Sequence, residues 1–410
     1  MVEHTRGVLC LASYEKGADF LTAAKESGWT VYLLTIADLQ FVAWPREDID
    51  EVFLMHDLAD QGAVLRTVSY LARSRDVDRV IALDDYDVEM AALIREHLRL
   101  PGMNLSAAKL VRDKLAMRVA AAATGIPIPA YTSVVGDAAV SAFAAAVAPP
   151  WLLKPRAEVS TIGIDRMDDP SLLWNRLHEL GDARSYHLLE QYVPGAVYHV
   201  DSIVREGEVV FSETHGYARP PLDVFHGGGL SSTRTLARGS DDETALKDLN
   251  RRVITALGPW RGAAHAEFIR RDDGQFCFLE IGARVGGAYI VNLVEAAAGV
   301  NLYREWARIE LMDDPSRYEP PVSADGYAAT LVSLARQEWP DTAAYVEDEI
   351  VWRLNKRQHV GLVVASPAHE RVTELLDAYM HRFAADFAAA LPPRTARPPR
   401  GGLDDRDAPA

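Results

Sequence analysis

Short apolar runs alternate with amphipathic stretches through the first hundred residues. Runs at 7–12, 29–34, 51–55 and 79–83 have the length and apolar character of buried strands. Helical spacing at 19–27, 62–74 and 88–99 predicts helices around them, the first stopped by Gly28. Strands alternating with helices predict a doubly wound parallel α/β domain, assigned to residues 1–105. Ligands of such sheets bind beyond the carboxyl ends of the strands. Ser13-Tyr14, His56-Asp57 and Asp84-Asp85-Tyr86 stand there. Ordinary turn and capping chemistry is the plain alternative for each.

Pro101-Gly102 breaks the pattern, and an alanine-rich helix is expected over about 106–123, with Ser106 as its N-cap. Gly125, Pro127 and Pro129 end it, and a helix at 137–147 follows. From 151 to 285 the periodicity is mostly that of strands: 151–154, 187–191, 198–205, 209–214, 263–270 and 275–282. Helices are expected at 171–180, 241–257 and 290–311. Residues 321–390 are expected to form a small C-terminal α+β segment. Residues 391–410, rich in Pro, Gly and charge, read as a disordered tail.

With 43 basic and 59 acidic side chains among 410 residues, the net charge is −16. That argues against nucleic acid or an anionic membrane as partner, since both need a basic face. A local basic pocket remains compatible. Cys10 and Cys277 each lie in an apolar run. No disulfide framework is expected, and a reducing cytoplasm suits the chain better. The start, MVEHTRGVLCLASYEKG, lacks a secretory pattern, and no stretch approaches the roughly 20 apolar residues of a membrane span.

The most informative local feature is AEFIRRDDGQFCFLEIGAR, which ends at Arg284. Two alternating runs flank Asp273-Gly274, the signal of a two-residue type I′ hairpin. That turn places Glu267 directly opposite Glu280, side chains about 5 Å apart. Like charges so placed repel, and burial strengthens the repulsion. A divalent cation removes it, and hard oxygen ligands suit Mg²⁺. A solvent-facing pair, or a pair sharing one proton, is the alternative, and a one-residue slip would separate them. His265 faces Gly282 on the same side, as a structural residue or a ligand. Arg284, just past the strand, is placed to hold an anion or to pair with neighbouring acids.

Lys114 reads by itself as a solvated helix charge. Lys154 closes the apolar strand of WLLKPR and is suited to project into a cleft as a point charge for phosphate. The next stretch, AEVSTIG, carries Ser160, Thr161 and Gly163 and would cradle phosphates through backbone N–H groups, unless it is a generic turn. Glu190, Gln191, Tyr192 and Val193 end another strand before Pro194-Gly195, an extended segment suited to reading adenine. Asp201 is a candidate ribose contact. The loop from His226 to Gly229 is conformationally permissive. No phosphate-loop, nucleophile-elbow, HExxH or CxxC motif is present.

In this order the residues resemble the ATP-grasp superfamily, in its carboxylate–amine ligase (amino-acid ligase-like) branch. The resemblance implies a two-lobed ATP-grasp fold over 106–320, with a lid subdomain at about 151–195, after the α/β domain. It implies that Lys114 and Lys154 bind ATP phosphates and that Glu190 and Val193 hold adenine. Glu267 and Glu280 would hold Mg²⁺, with Mn²⁺ the alternative ion, and Arg284 would be catalytic, steadying an acyl phosphate. The implied reaction joins a small-molecule carboxylate to an amine through that acyl phosphate, releasing ADP and phosphate. A homodimer is a family-level expectation. Three departures stand out: Gly282 where many members carry Asn, Val197 where many carry a ribose-binding acid, and a lid loop less glycine-rich than usual, with Glu158 and Val159 inside it. A bicarbonate-activating carboxylase-like enzyme and a catalytically silent nucleotide-binding protein are the rival readings.

Overall fold

The computed structural model describes residues 6–159, 161–227 and 230–389. The tail expected at 391–410 and residues Ser160, Gly228 and Gly229 lie outside the described residues. The N-terminal strands are β1 (Gly7–Ala12), β2 (Thr30–Ile36), β3 (Glu51–Met55) and β4 (Arg79–Ala82). The helices among them are α1 (Ala18–Glu26), α2 (Gln61–Leu71) and α3 (Val88–Leu98). The sheet is parallel in the order β3-β2-β1-β4, as the alternation predicts. The chain steps outward from β1 to β3, then returns to place β4 on the other side of β1. The strand order therefore reverses beside the ends of β1 and β4, the usual ligand crevice of such sheets.

The alanine-rich stretch is two helices, α4 (Leu105–Leu110) and α5 (Lys114–Ala123), rather than one. Asp113 causes the break: its side chain accepts from Leu115 N and Ala116 N as the N-cap of α5. Asn104, not Ser106, caps α4 by accepting from Ala107 N. Lys114 thereby becomes the first residue of a capped helix instead of a mid-helix surface charge. Next come β5 (Tyr131–Ser133), α6 (Asp137–Ala146), β6 (Trp151–Pro155), β7 (Asp165–Met167), α7 (Pro170–Leu180) and β8 (His187–Gln191). These strands form a small antiparallel sheet, β5-β8-β6-β7, with its own core around Trp151, Leu153 and Leu189.

The central sheet is built from β9 (Ala196–Arg205), β10 (Glu208–Tyr217), β11 (Ser231–Thr235), β12 (Gly262–Arg270) and β13 (Phe276–Gly282). α8 (Pro221–Gly227) and α9 (Asp241–Leu257) interrupt them, and α10 (Ile290–Ala298) and α11 (Leu302–Leu311) follow. The C-terminal segment supplies β14 (Tyr327–Leu334), β15 (Ile350–Arg353), β16 (His359–Ser366) and α12 (His369–Asp386). It is not a separate sheet: β14 pairs with β11, giving one eight-stranded sheet, β13-β12-β9-β10-β11-β14-β16-β15. One apolar core runs from the N-terminal sheet into the central sheet, and Phe20 of α1 meets Trp306 of α11 edge-on at 5.2 Å. No helix among the described residues is long and apolar enough to cross a membrane.

Candidate active site

A cleft lies between the small sheet and the central sheet. Lys114, Lys154, Gln191, Tyr192, Val193 and Glu280 line its inner end. The end nearer the N-terminal sheet carries Asp85, Arg112, His265, Glu267 and Arg284. Leu152, Ile162, Val197, Ile269 and Leu279 give the inner end apolar walls suited to a planar base. Thr161 lines both ends. Gly163, at φ 69°, sits in the same turn without lining the cleft.

The inner end is built on a buried charge triad. Lys154, at the end of β6, puts Nζ 2.5 Å from Glu190 Oε2 on the neighbouring strand β8. Arg118 Nε donates to the other Glu190 oxygen. Burial opposes charge on Glu190, but Arg118 and Lys154 outweigh it and hold the carboxyl down to about 2. The Glu190 carboxylate is thus committed to two cations, and its place is that of an anchor for Lys154 rather than a free adenine ligand. Arg118 was not singled out in the sequence, where it reads as a polar position on an alanine-rich helix. The available signal was its spacing of four from Lys114, which puts both on one helix face.

β12 and β13 carry the paired acids. Glu267 is registered opposite Glu280, and His265 opposite Gly282. Tyr217 Oη donates to Glu267 Oε1 at 3.0 Å, and Lys114 Nζ lies 2.8 Å from Glu280 Oε2. The same ammonium donates to Glu158 O at 2.7 Å, tying the segment after β6 to β13. Arg156, which donates to Asp113, and Arg112, which donates to Ala157 O, clamp the same segment.

Asp201 does not reach the cleft wall. It is fully buried beneath the floor, where His199 Nδ1 approaches Oδ2 at 2.7 Å and His265 Nδ1 approaches Oδ1 at 2.8 Å. His215 Nδ1 stands 3.1 Å from Oδ2. The expected ribose contact is therefore corrected: both oxygens are taken up by imidazoles on β9, β10 and β12. Burial depresses His199 to about 4 despite Asp201. Burial also works against charge on His265, but Asp201 outweighs it and raises that ring to about 9. The His199 ring lies 4.7 Å from that of Tyr217, so this polar floor supports the residue that bonds Glu267.

At the outer end Arg284 Nε donates to Asp85 Oδ2 at 2.6 Å, and Nη1 donates to Val285 O at 3.0 Å. Of the strand-end residues singled out, Asp85 lines the cleft. Ser13 instead bonds Asp87 through its N and Oγ, closing the turn after β4. His56 and Asp57 line neither end of the cleft.

Comparison with known proteins agrees with this geometry. The family described as the ATP-grasp N-terminal domain matches residues 21–102. The chain is 20% identical to an L-arginine-specific L-amino acid ligase of Bacillus subtilis, over 74% of this chain and 76% of the relative. It is 27% identical to a D-alanine–D-alanine ligase of Ectopseudomonas mendocina, over 49% of this chain and 64% of the relative. The crystal structure of an L-amino acid ligase from Bacillus licheniformis superposes with a TM-score of 0.74 at 17% identity, covering 94% of this chain and 99% of that one. That of an N5-carboxyaminoimidazole ribonucleotide synthetase from Thermus thermophilus gives 0.71 at 19% identity, covering 94% and 99%. The last two establish the fold. With the ordered lysines, paired acids and terminal arginine in one cleft, the chain has the ATP-grasp fold and is similar to ATP-dependent carboxylate–amine ligases.

Proposed function

We propose that this protein joins two amino acids, or an amino acid and a related amine, in the cytoplasm at the expense of ATP. The observation that carries the reading is the convergence of Lys114, Lys154, Glu267, Glu280 and Arg284 on one cleft. The amino-acid ligases among the sequence relatives support the substrate class. One oxygen of the substrate carboxylate attacks the γ-phosphorus and ADP leaves. The nitrogen of the second substrate then attacks the acyl carbon, phosphate leaves, and the nitrogen loses a proton to give the amide.

The residues fit a divalent cation. Two acids face each other across a hairpin, one steadied by Tyr217, and the Lys114 ammonium already rests against the other. Glu267 and Glu280 would hold Mg²⁺ or Mn²⁺, which supplies charge neutralisation between phosphate oxygens. Lys154 binds a phosphate from the inner end, oriented by Glu190. Arg284 offers its unused N–H groups to the transferring phosphoryl or acyl phosphate. The lid clamps exclude water, which would otherwise hydrolyse that intermediate.

The test is ADP release from Mg-ATP with the twenty L-amino acids and D-alanine, singly and in pairs, with products identified by mass. Release that depends on a carboxylate and an amine together is expected. ADP release indifferent to substrate, or a Glu280→Ala variant with full activity, overturns the reading.

A further inference from the structure

Gly282 has no backbone reason to be glycine. It ends β13 in register with His265, and it is not among the residues held at positive φ. The reason lies in space. A Cβ at Gly282 would stand 2.7 Å from Asp85 Oδ1, closer than a carbon can sit without displacing it, and would touch Arg284 Nε at 3.4 Å. Asp85 follows β4, in the crevice where the N-terminal strand order reverses, and is only 4% exposed. Its Oδ2 takes the Arg284 Nε–H at 2.6 Å. Burial of Arg284 disfavours its charge, but Asp85 outweighs that and secures the guanidinium. With Nε on Asp85 and one Nη1 bond on Val285 O, the remaining N–H groups are left for an anion in the cleft that both residues line.

We propose that Asp85 is a positioning residue of the active site, reaching from the N-terminal sheet through the gap left by Gly282 to aim Arg284 at the anion formed there. The proposal rests on the ligase reading for the identity of that anion. It couples the two sheets: a shift of the N-terminal sheet moves the arginine without touching the nucleotide end. Gly282 is the space-making partner, and neither residue needs to touch substrate.

The probes are MgADP, and orthovanadate added to the MgADP-loaded protein, both by calorimetry on the full chain. The variants are Asp85→Asn, Asp85→Ala and Gly282→Ala. All three should bind MgADP within about twofold of the unmodified protein. Vanadate affinity should fall about tenfold or more in Asp85→Ala and Gly282→Ala. Asp85→Asn, which keeps an oxygen for Nε without the charge, should fall between. In turnover, KM for the carboxylate should rise while KM for ATP holds. Vanadate binding unchanged in all three overturns the proposal, as does parallel loss of MgADP and vanadate, which is what a merely structural role gives. An unmodified protein that binds MgADP but not vanadate also overturns it. Failure of the ligase reading shows separately, as vanadate binding that responds to the variants with no ADP release on any amino acid.

Discussion

Lys114 Nζ lies 2.8 Å from Glu280 Oε2, so a side-chain ammonium rests against one of the two carboxylates suited to a metal ion. The lysine balances Glu280 while Glu267 is balanced by Tyr217 and His265. Under the proposed function, nucleotide and metal together would give Lys114 a phosphate and Glu280 a cation, exchanging partners rather than creating bare charges.

This exchange makes opposite predictions for one variant. In Lys114→Met, Glu280 has lost its internal cation, so Mg²⁺ alone should bind about as tightly as before or more tightly. ATP should bind at least about tenfold more weakly, because a charge-assisted phosphate contact is gone. Calorimetry with Mg²⁺, then with Mg-ATP, reads both signs. Loss of both together would show that Lys114 simply supports the fold.

Tyr217→Phe removes the Oη donor from Glu267 Oε1 and keeps the ring beside His199. The Mg²⁺ concentration for half-maximal activity should rise about tenfold, the usual cost of losing a group that orients a metal ligand. Thermal unfolding should change little, since the ring still fills its place. A large drop in Tm with no change in Mg²⁺ dependence would assign Tyr217 to packing.

The facing of Glu267 and Glu280 was legible in the sequence, but two features of the hairpin compensate to produce it. The turn is not the two-residue type. Arg271 O accepts from Gly274 N, Gly274 takes φ 81°, and Arg270 pairs with Phe276. That longer loop shifts the register by one, and a bulge past Glu267 leaves Leu279 unpaired and shifts it back. Phe278 N meanwhile bonds Pro127 O, tying the bulged strand to the segment after α5. Alternation of apolar positions showed the strands, since each buries one face. It could not show Arg118, whose partner Glu190 lies 72 positions away, and it marked Asp85 as a strand-end residue without showing its pairing with Arg284, 199 positions away. It likewise left the C-terminal strands apart from the central sheet, because the pairing of β14 with β11 has no local signature.

Gly195 connects the segment after β8 to β9 at φ 152°, and a Cβ there would lie 2.0 Å from Arg270 O. That contact is with backbone, so it cannot be relieved by a side-chain rotation. Gly195→Ala should therefore cost more than about 1 kcal/mol of stability. It should also weaken ATP binding, because Val193 and Gly195 line the same end of the cleft. Urea unfolding and ATP titration of the variant measure the two effects, and an unchanged ATP affinity would separate Gly195 from the nucleotide end.

The Arg118–Glu190–Lys154 triad predicts a pH dependence of stability. The folded carboxyl titrates at about 2, against 4.5 for an ordinary glutamate, because two buried cations outweigh its burial. The unfolded chain therefore binds more protons than the folded one between those values, and stability rises with pH there. The contribution is fully present above about pH 5 and is lost as the pH falls toward 2. A shift of this size corresponds to about 3 kcal/mol, of which about 2 should be gone by pH 3. Glu190→Gln removes the titrating group while keeping the shape. The difference in unfolding free energy between the unmodified protein and this variant should shrink by that amount from pH 5 to pH 3. Urea titrations at several pH values measure it. Parallel curves for the two proteins would mean that Glu190 gains no net stabilisation from Arg118 and Lys154, and that its charge is kept for the sake of Lys154 alone.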